Sequence, residues 1–334
     1  MIARLERWLL AGELSCYLIL AVVLTIFTPA TGPAMTVMFA AISVSGRAAY
    51  LVVAWYTAWR WDDADSARGA ALPPAGVAAR EWLALFATHS VLQPFAPLWN
   101  RILAGLPHGD RATVPPREPV VVLVHGYACN AAYWLPLRWR LQQRGVRCPP
   151  PPTLEPPFAS IDDQADALAR YLAGLRDRLP GHPLVLVGHS MGGLTIRACY
   201  ARHGLDDVVQ VITLGTPHHG SRIARLGWTR NAREMVPGSG WLRSLPSLAD
   251  ASSPTLVAMA ARYDELVTPL VRTVPQRIEI NEFINVGHLA IGWCGRTCEE
   301  IQACVDTARR AAHVRSANRI TDSHSTTCTA GTSN

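Results

Sequence analysis

The chain has 334 residues, of which 49% are hydrophobic and 17% are charged, so it can hold one large catalytic domain with appendages or two ordinary domains. Its formal net charge is +6, and all 31 basic residues are arginines, scattered without forming a basic helix. This pattern argues against a nucleic-acid-binding protein, while a mean hydropathy of +0.13 indicates apolar segments beyond a soluble core.

The first sixty residues contain two apolar segments, 8–28 and 34–59, separated by the turn sequence TPATGP. Each segment is long enough to cross a hydrocarbon core of about 30 Å as a helix. No charged residue occurs between Leu14 and Gly46. We therefore predict a transmembrane helical hairpin over 1–60.

Two charges interrupt this hairpin, Glu13 and Arg47, at similar distances from the turn. We expect them to pair, because an unpartnered charge within the bilayer costs several kcal/mol. A cleaved signal peptide is the alternative for the first segment, since Arg4 and Arg7 precede its apolar run.

Arginines flank the outer ends of the hairpin, and none lies in its turn. The positive-inside rule then favours a bacterial inner-membrane protein whose large domain faces the cytoplasm. A periplasmic or secreted domain is the alternative if the second segment does not span.

Residues 61–117 are predicted to form a linker followed by a membrane-proximal apolar segment. The part from 62 to 79 is rich in Ala, Pro, Gly and Asp, and the part from 80 to 103 is apolar and aromatic. Pro94 and Pro97 prevent the latter from being one long helix. It lies either on the bilayer surface or against the large domain.

From residue 118 to 313 the pattern alternates between buried strands and helices, which predicts a mainly parallel sheet flanked by helices. The stretch PVVVLVHG is typical of a strand covered on both faces. Asn130 and Ser160 are expected to cap helices, the latter in a capping box with Asp163. Further strands are predicted in PLVLVGHS, VVQVITLG, TLVAMAAR and RIEINEFINVG, and a last helix over about 297–312.

One short stretch, GHSMGG over 188–193, joins a predicted strand directly to a predicted helix. A turn this sharp leaves no room for side chains beside it, which explains Gly188 and Gly192. The bend lifts the Ser190 hydroxyl out of the sheet, and the following helix points backbone N–H groups at the same space. Ser190 is therefore the predicted nucleophile.

A serine hydroxyl needs a base oriented by an acid, in the chain order Ser, Asp/Glu, His. Asp264 follows one strand in ARYDELVTP, and His288 follows the next in NVGHLAI. We predict that His288 takes the Ser190 proton and that Asp264 orients the imidazole. Glu265 is the direct rival for the acid, and Asp250 is a more remote one.

The oxyanion formed during such chemistry needs two N–H donors. Met191, directly after the nucleophile, supplies one, and Tyr127, in the loop HGYACN after the first strand, is the candidate for the other. His125 and Gly126 shape that turn. His218 and His219 either line the acyl site or support the loop near Ser190.

These motifs carry a family likeness. VVLVHG, LVGHSMGGL, VITLGTPHHGS, ARYDELVTP and VGHLAI together resemble the bacterial triacylglycerol lipase and esterase branch of the α/β-hydrolase superfamily. The resemblance implies an α/β-hydrolase fold and carboxylic ester hydrolysis through an acyl-enzyme, with Ser190, Asp264 and His288 in the matching positions. Secreted lipases of this group often hold calcium through aspartates near the histidine, and LAIGWCGRTC offers none, so neither metal nor cofactor is expected.

Two further segments complete the domain plan. The insertion 221–248 contains two tryptophans and several leucines, and is either a cap over an acyl site or an ordinary packed excursion. The tail 314–334 is rich in Ser and Thr and is expected to be disordered. Cys294, Cys298 and Cys304 cluster without a fourth ligand, which makes a zinc site weak.

The sequence thus predicts a membrane-anchored serine hydrolase acting on lipid or other acyl esters, with no nucleic-acid partner. Acyl transfer to an alcohol by the same triad is one alternative, and a non-catalytic membrane scaffold is the other.

Overall fold

The computed structural model describes residues 46–56, 73–105, 118–246, 254–267 and 280–310. Within these ranges one sheet contains five strands in sequential order, with every neighbouring pair parallel. The strands are β1 Val120–Val124, β2 Leu184–His189, β3 Val208–Leu214, β4 Thr255–Ala261 and β5 Ile280–Phe283. All five predicted strands are confirmed.

The strand residues alternate between two apolar layers, as the pleat of a sheet requires. In β1, Val121 and Leu123 face one layer, while Val120, Val122 and Val124 face the other. Every residue of β1 and β2 is buried, because helices cover both faces.

The helices are α1 46–56, α2 Ala75–Phe86, α3 Ala96–Gly105, α4 Leu135–Gln143, α5 Ile161–Arg178, α6 Met191–His203, α7 Arg230–Glu234, α8 Gly240–Ser244 and α9 295–310. Helices α4 and α9 cover one face of the sheet, and α5 and α6 cover the other. The predicted capping box is present, because Ser160 and Asp163 each accept a hydrogen bond from the other's backbone N–H. Asn130 caps a short 3-10 turn, Ala131–Trp134, that leads into α4.

Most of the predicted hairpin lies outside the described residues, as do the tail and Asp250. No helix within the described ranges is long and apolar enough to cross a membrane. Of the second apolar segment, α1 buries Trp55, whose Nε1 donates to the Tyr263 carbonyl at 3.1 Å. Arg47 donates to Ser90 Oγ, and since Glu13 is not described, their predicted pairing stays a prediction.

The segment after the linker packs against the sheet's loops. Helix α2 continues through a π-helical turn, Ala87–Leu92, and α3 begins at Ala96, so the segment is not one helix, as predicted. Pro94 lies in the break, and Pro97 lies in the first turn of α3. Asn130 Nδ2 donates to the Gln93 carbonyl at 3.2 Å. Of the two positions left open for residues 80–103, the contacts of Gln93 and of Glu81, which accepts hydrogen bonds from Leu289 N and Ala290 N, support packing on the large domain.

Candidate active site

The turn between β2 and α6 has the geometry expected of a nucleophile elbow. Ser190 has φ 54° and ψ −127°, a region that L-residues rarely adopt. A Cβ at Gly188 would lie 2.6 Å from the Gly193 nitrogen, and one at Gly192 would overlap the carbonyl oxygens of Val124 and His125. Glycine at both positions therefore allows α6 to begin immediately behind the serine.

Ser190 is also accessible. In the fully described stretch 184–199 it is the one residue that is not buried. A reactive hydroxyl has to meet its substrate while its supports stay rigid, and this pattern meets both requirements.

The structure brings Asp264 and His288 together. His288 Nδ1 lies 2.8 Å from Asp264 Oδ2, and both side chains are almost completely buried. Asp264 Oδ1 also accepts hydrogen bonds from the backbone N–H groups of Leu266 and Val267, at 3.0 and 2.7 Å. The carboxylate is thus fixed, and His288 donates its Nδ1–H to it, which leaves Nε2 as the basic nitrogen.

Glu265, the direct rival of Asp264, has a different position. Its Oε2 accepts a hydrogen bond from the backbone N–H of His288 at 3.2 Å. It therefore contacts the histidine's main chain, and Asp264 contacts its ring.

Two opposing effects act on His288. Burial disfavours the imidazolium, but the charge and hydrogen bond of Asp264, with the charge of Glu81, outweigh burial and raise the pKa of His288 above its ordinary value. A more basic imidazole is a better acceptor for a hydroxyl proton.

Contacts on both sides of Ser190 connect it to the Asp264–His288 pair. Its predecessor His189 contacts the His288 carbonyl through Nε2 at 2.9 Å. The Ser190 N–H donates to the Leu214 carbonyl. Gly215 follows Leu214, and a Cβ placed on Gly215 would lie 3.0 Å from Asp264 Oδ2 and 3.3 Å from His288 Nδ1. Ser190, Asp264 and His288, which follow β2, β4 and β5, thus lie at the same carboxyl edge of the sheet, and Gly215 after β3 adjoins the Asp264–His288 pair.

The loop after β1 and the start of α6, which carry the predicted oxyanion donors, both adjoin the serine. A Cβ at Gly126 would be 2.9 Å from Ser190 Cβ, so the loop after β1 touches the nucleophile. Met191 N–H is at the first position of α6, where helical N–H groups have no intrahelical acceptor. Within the described residues, neither it nor the Tyr127 N–H has a hydrogen-bond acceptor.

Two other predicted histidines support loops. His125 Nε2 accepts the Leu154 N–H at 3.0 Å, and burial lowers the pKa of His125 to about 4, so the ring is neutral. His218 contacts Thr213 Oγ1 at 3.1 Å, and its carbonyl accepts a hydrogen bond from Arg197. His218 is therefore a loop support, and His219 is exposed.

The insertion after β3 sits over this edge of the sheet. Tyr127 Oη hydrogen bonds to Thr229 Oγ1 at 3.1 Å, and Ser221 Oγ donates to the Leu266 carbonyl. Arg197 Nη2 donates to the Pro246 carbonyl at 3.0 Å. The insertion is thereby tied to the loops after β1 and β4 and to α6.

Two residues of the site were missed by the sequence analysis, Glu81 and His189. Glu81 accepts hydrogen bonds from the backbone N–H groups of Leu289 and Ala290, directly after His288. The sequence contains a pattern that points to Glu81, because it is the sole acid in 73–105 and has the helical spacing of Val77 and Ala84, with which it shares a buried face. His189 lies within the nucleophile motif itself.

The six described cysteines form no disulfide among themselves, and the described residues hold no group of three or more His, Cys, Asp or Glu arranged to bind a metal.

The sequence profile of the alpha/beta hydrolase family matches residues 121–311, more than half of the chain. The chain belongs to this family. Strands β2 to β5, all of β1 after Val120, the elbow and the Asp264–His288 pair fall within the matched residues, whereas Glu81 lies upstream of them.

Individual relatives of this alpha/beta hydrolase match shorter stretches. It is 35% identical over 98 residues to triacylglycerol lipase 2 of Saccharomyces cerevisiae, covering 28% of this chain and 29% of the relative. It is 24% identical over 150 residues to the GPI inositol-deacylase of Candida albicans, covering 43% of this chain and 35% of the relative. The chain thus spans about a third of the curated relatives' length, and both are from yeasts, so the bacterial branch stays a prediction.

Solved structures of similar fold include the mature lipase BlEst2 of Bacillus licheniformis, at 19% identity and a TM-score of 0.48, over 57% of this chain and 93% of that one. Another is the phospholipase PlaB of Legionella pneumophila, at 14% identity and a TM-score of 0.48, over 59% and 61%.

Proposed function

We propose that the protein is a serine hydrolase that cleaves carboxylic esters, with Ser190, His288 and Asp264 as its catalytic residues. The observation that carries this proposal is the accessible Ser190 at φ 54°, connected through His189 and Gly215 to a buried Asp264–His288 pair. Family membership supports it.

In the proposed reaction, Ser190 Oγ attacks the ester carbonyl carbon while its proton passes to His288 Nε2. The N–H groups of Met191 and Tyr127 donate to the oxyanion of the tetrahedral intermediate. The alcohol leaves with the proton returned by His288, and an acyl-serine forms. Water, deprotonated by the same imidazole, then releases the acid and restores the hydroxyl.

We propose lipid or similarly apolar acyl esters as substrates. The insertion exposes 69% of Leu226 and 80% of Trp228, and Thr229 beside them contacts the oxyanion candidate Tyr127. Apolar side chains exposed next to a site favour substrates held at a lipid surface. The names of the two yeast relatives, a triacylglycerol lipase and an inositol-deacylase, agree with this class.

The experiment combines labelling with turnover. We expect a fluorophosphonate to modify Ser190 in the purified protein, and Ser190→Ala to lower ester hydrolysis by on the order of 10⁴-fold or more without changing the melting temperature. Chain-length-resolved esters would define the acyl preference. Full turnover by Ser190→Ala, or a label on another residue, would refute the proposal.

An added alcohol acceptor distinguishes hydrolysis from acyl transfer. Hydrolysis predicts that free acid remains the main product at moderate alcohol concentration, whereas a transferase would convert most of the acyl-enzyme to a new ester.

A further inference from the structure

A buried carboxylate from the N-terminal region lies directly behind the loop that carries His288. Glu81 on α2 has no exposed surface, and its Oε1 and Oε2 accept hydrogen bonds from Leu289 N at 2.5 Å and Ala290 N at 3.0 Å. The loop fits closely around it, because a Cβ at Gly287 would lie 2.6 Å from Glu81 Oε2. The carboxylate therefore fixes the backbone directly after His288 by hydrogen bonds and packs closely against Gly287 before it.

A second buried carboxyl group completes the arrangement. Glu265 is 2% exposed and accepts the His288 N–H at 3.2 Å, the amide that precedes the two accepted by Glu81, so the two buried carboxyl groups hold consecutive N–H groups of one loop. A hydrogen bond between two carboxyl groups requires a proton on one of them. Glu81 accepts hydrogen bonds from two backbone N–H groups and Glu265 from one, so we expect the charge on Glu81 and the proton on Glu265.

The groups around the pair agree with this assignment. Burial, followed by the negative charges of Glu81 and Asp264, raises the pKa of Glu265 well above its usual range. Burial also raises the pKa of Glu81, while the hydrogen bonds from Ala290, Leu289 and Glu265 act in the opposite direction. The titratable groups that face the pair are Asp264, His288, Tyr50 from α1 and Tyr133 from the 3-10 turn.

We propose that Glu81 and Glu265 form a proton-sharing carboxyl pair that positions His288 and places a second negative charge near its imidazolium. Glu81 is then a positioning residue contributed by a helix upstream of the hydrolase domain. This inference rests on the proposed role of His288 as the base. With one shared proton, the pair has a net charge of −1. Its two carboxyl groups accept hydrogen bonds from the N–H groups of His288, Leu289 and Ala290 while only one negative charge is buried.

Two amide substitutions separate the two members of the pair. In Glu265→Gln the amide can donate to Glu81 as the acid proton does, and its oxygen can accept the His288 N–H, so kcat should stay within a few-fold of the wild type. In Glu81→Gln the single amide oxygen has to accept the hydrogen bonds from Leu289 N and Ala290 N that two carboxylate oxygens accept in the wild type. The negative charge of Glu81 is also lost. We expect kcat to fall by about 10- to 100-fold with little change in KM, and the acid limb of kcat/KM to move to lower pH, because the charge of Glu81 raises the pKa of His288.

Glu118→Gln is the matched control. Glu118 precedes β1 at the opposite edge of the sheet and pairs with Arg309, so its loss should leave kcat and the pH profile unchanged. If Glu81 were purely structural, Glu81→Gln would lower the melting temperature of the protein without moving the acid limb of kcat/KM. Wild-type kcat and acid limb in a folded Glu81→Gln protein would overturn the proposal.

An infrared measurement tests the shared proton without relying on activity. The spectrum of the wild type minus that of Glu265→Gln, at neutral pH, should contain the carbonyl stretch of a buried protonated carboxylic acid. The absence of that band, or a folded Glu265→Gln protein with as large a loss of kcat as Glu81→Gln, would overturn the proposal. Because the band does not depend on turnover, the result stands apart from any failure of the proposed function.

Discussion

The bond between Asp264 and His288 determines how the site should respond to pH. His288 works as a base only when neutral, and its pKa is raised above the ordinary value of about 6.5. Activity should therefore be lost as pH falls through this raised pKa, and the acid limb of kcat/KM should lie above the ordinary imidazole value.

Asp264→Asn tests this assignment. The substitution removes the charge that raises the pKa of His288 and the acceptor that fixes its tautomer, so kcat should fall by on the order of 10⁴-fold, and the acid limb should move to lower pH. Asp166→Asn is a suitable control, because Asp166 lies on α5, is partly exposed and pairs with Arg202 on α6. A pH–rate profile unchanged by Asp264→Asn would exclude Asp264 as the orienting acid.

The sequence indicates which residues lie near Ser190 more directly than it indicates which acid contacts the His288 ring. Ser190, Asp264 and His288 each follow the end of a predicted strand, and parallel strands bring their carboxyl ends to one edge of the sheet, so a common location could be predicted. The choice between Asp264 and Glu265 depended on the backbone turn after β4, which local pattern does not determine. Glu81 was missed because its contacts join positions 208 and 209 residues apart.

Among the elements, the junction of β2 and α6 leaves no room for added volume. Gly192→Ala would force a methyl group into the carbonyl oxygens at the end of β1, and we expect it to destabilise the fold by about 1–3 kcal/mol. Gly240→Ala is the control, because nothing lies within 4 Å of that Cβ position. Urea unfolding of both variants measures the difference, and equal stabilities would contradict the close approach.

The sequence predicted the strands and the flanking helices well, because their burial imposes a period that can be read directly. Runs such as VVVLV are buried on both faces, and the helix α5 repeats apolar residues at spacings of three and four. The packing of α1 and α2 was not predictable in this way. An apolar helix face has the same pattern whether it meets a bilayer or a protein surface.

For the whole molecule, we propose that the first apolar segment, 8–28, anchors the hydrolase in a membrane, because residues 46–56 of the second segment pack against the large domain through Trp55. Full-length protein should then stay in the membrane fraction after alkaline carbonate extraction. Val22→Arg, in the middle of the first apolar segment, should weaken retention, because a central charge costs about 2.5–3.5 kcal/mol on insertion scales. Complete release of the wild type into the soluble fraction would contradict the anchor.

The backbone at Ser190 has a consequence for how this protein can evolve. A non-glycine residue held at φ 54° costs on the order of 1–3 kcal/mol, and glycine would relieve most of it. Selection for thermal stability alone would therefore favour Ser190→Gly, which removes the hydroxyl, so stability and catalysis make opposite demands on this one position.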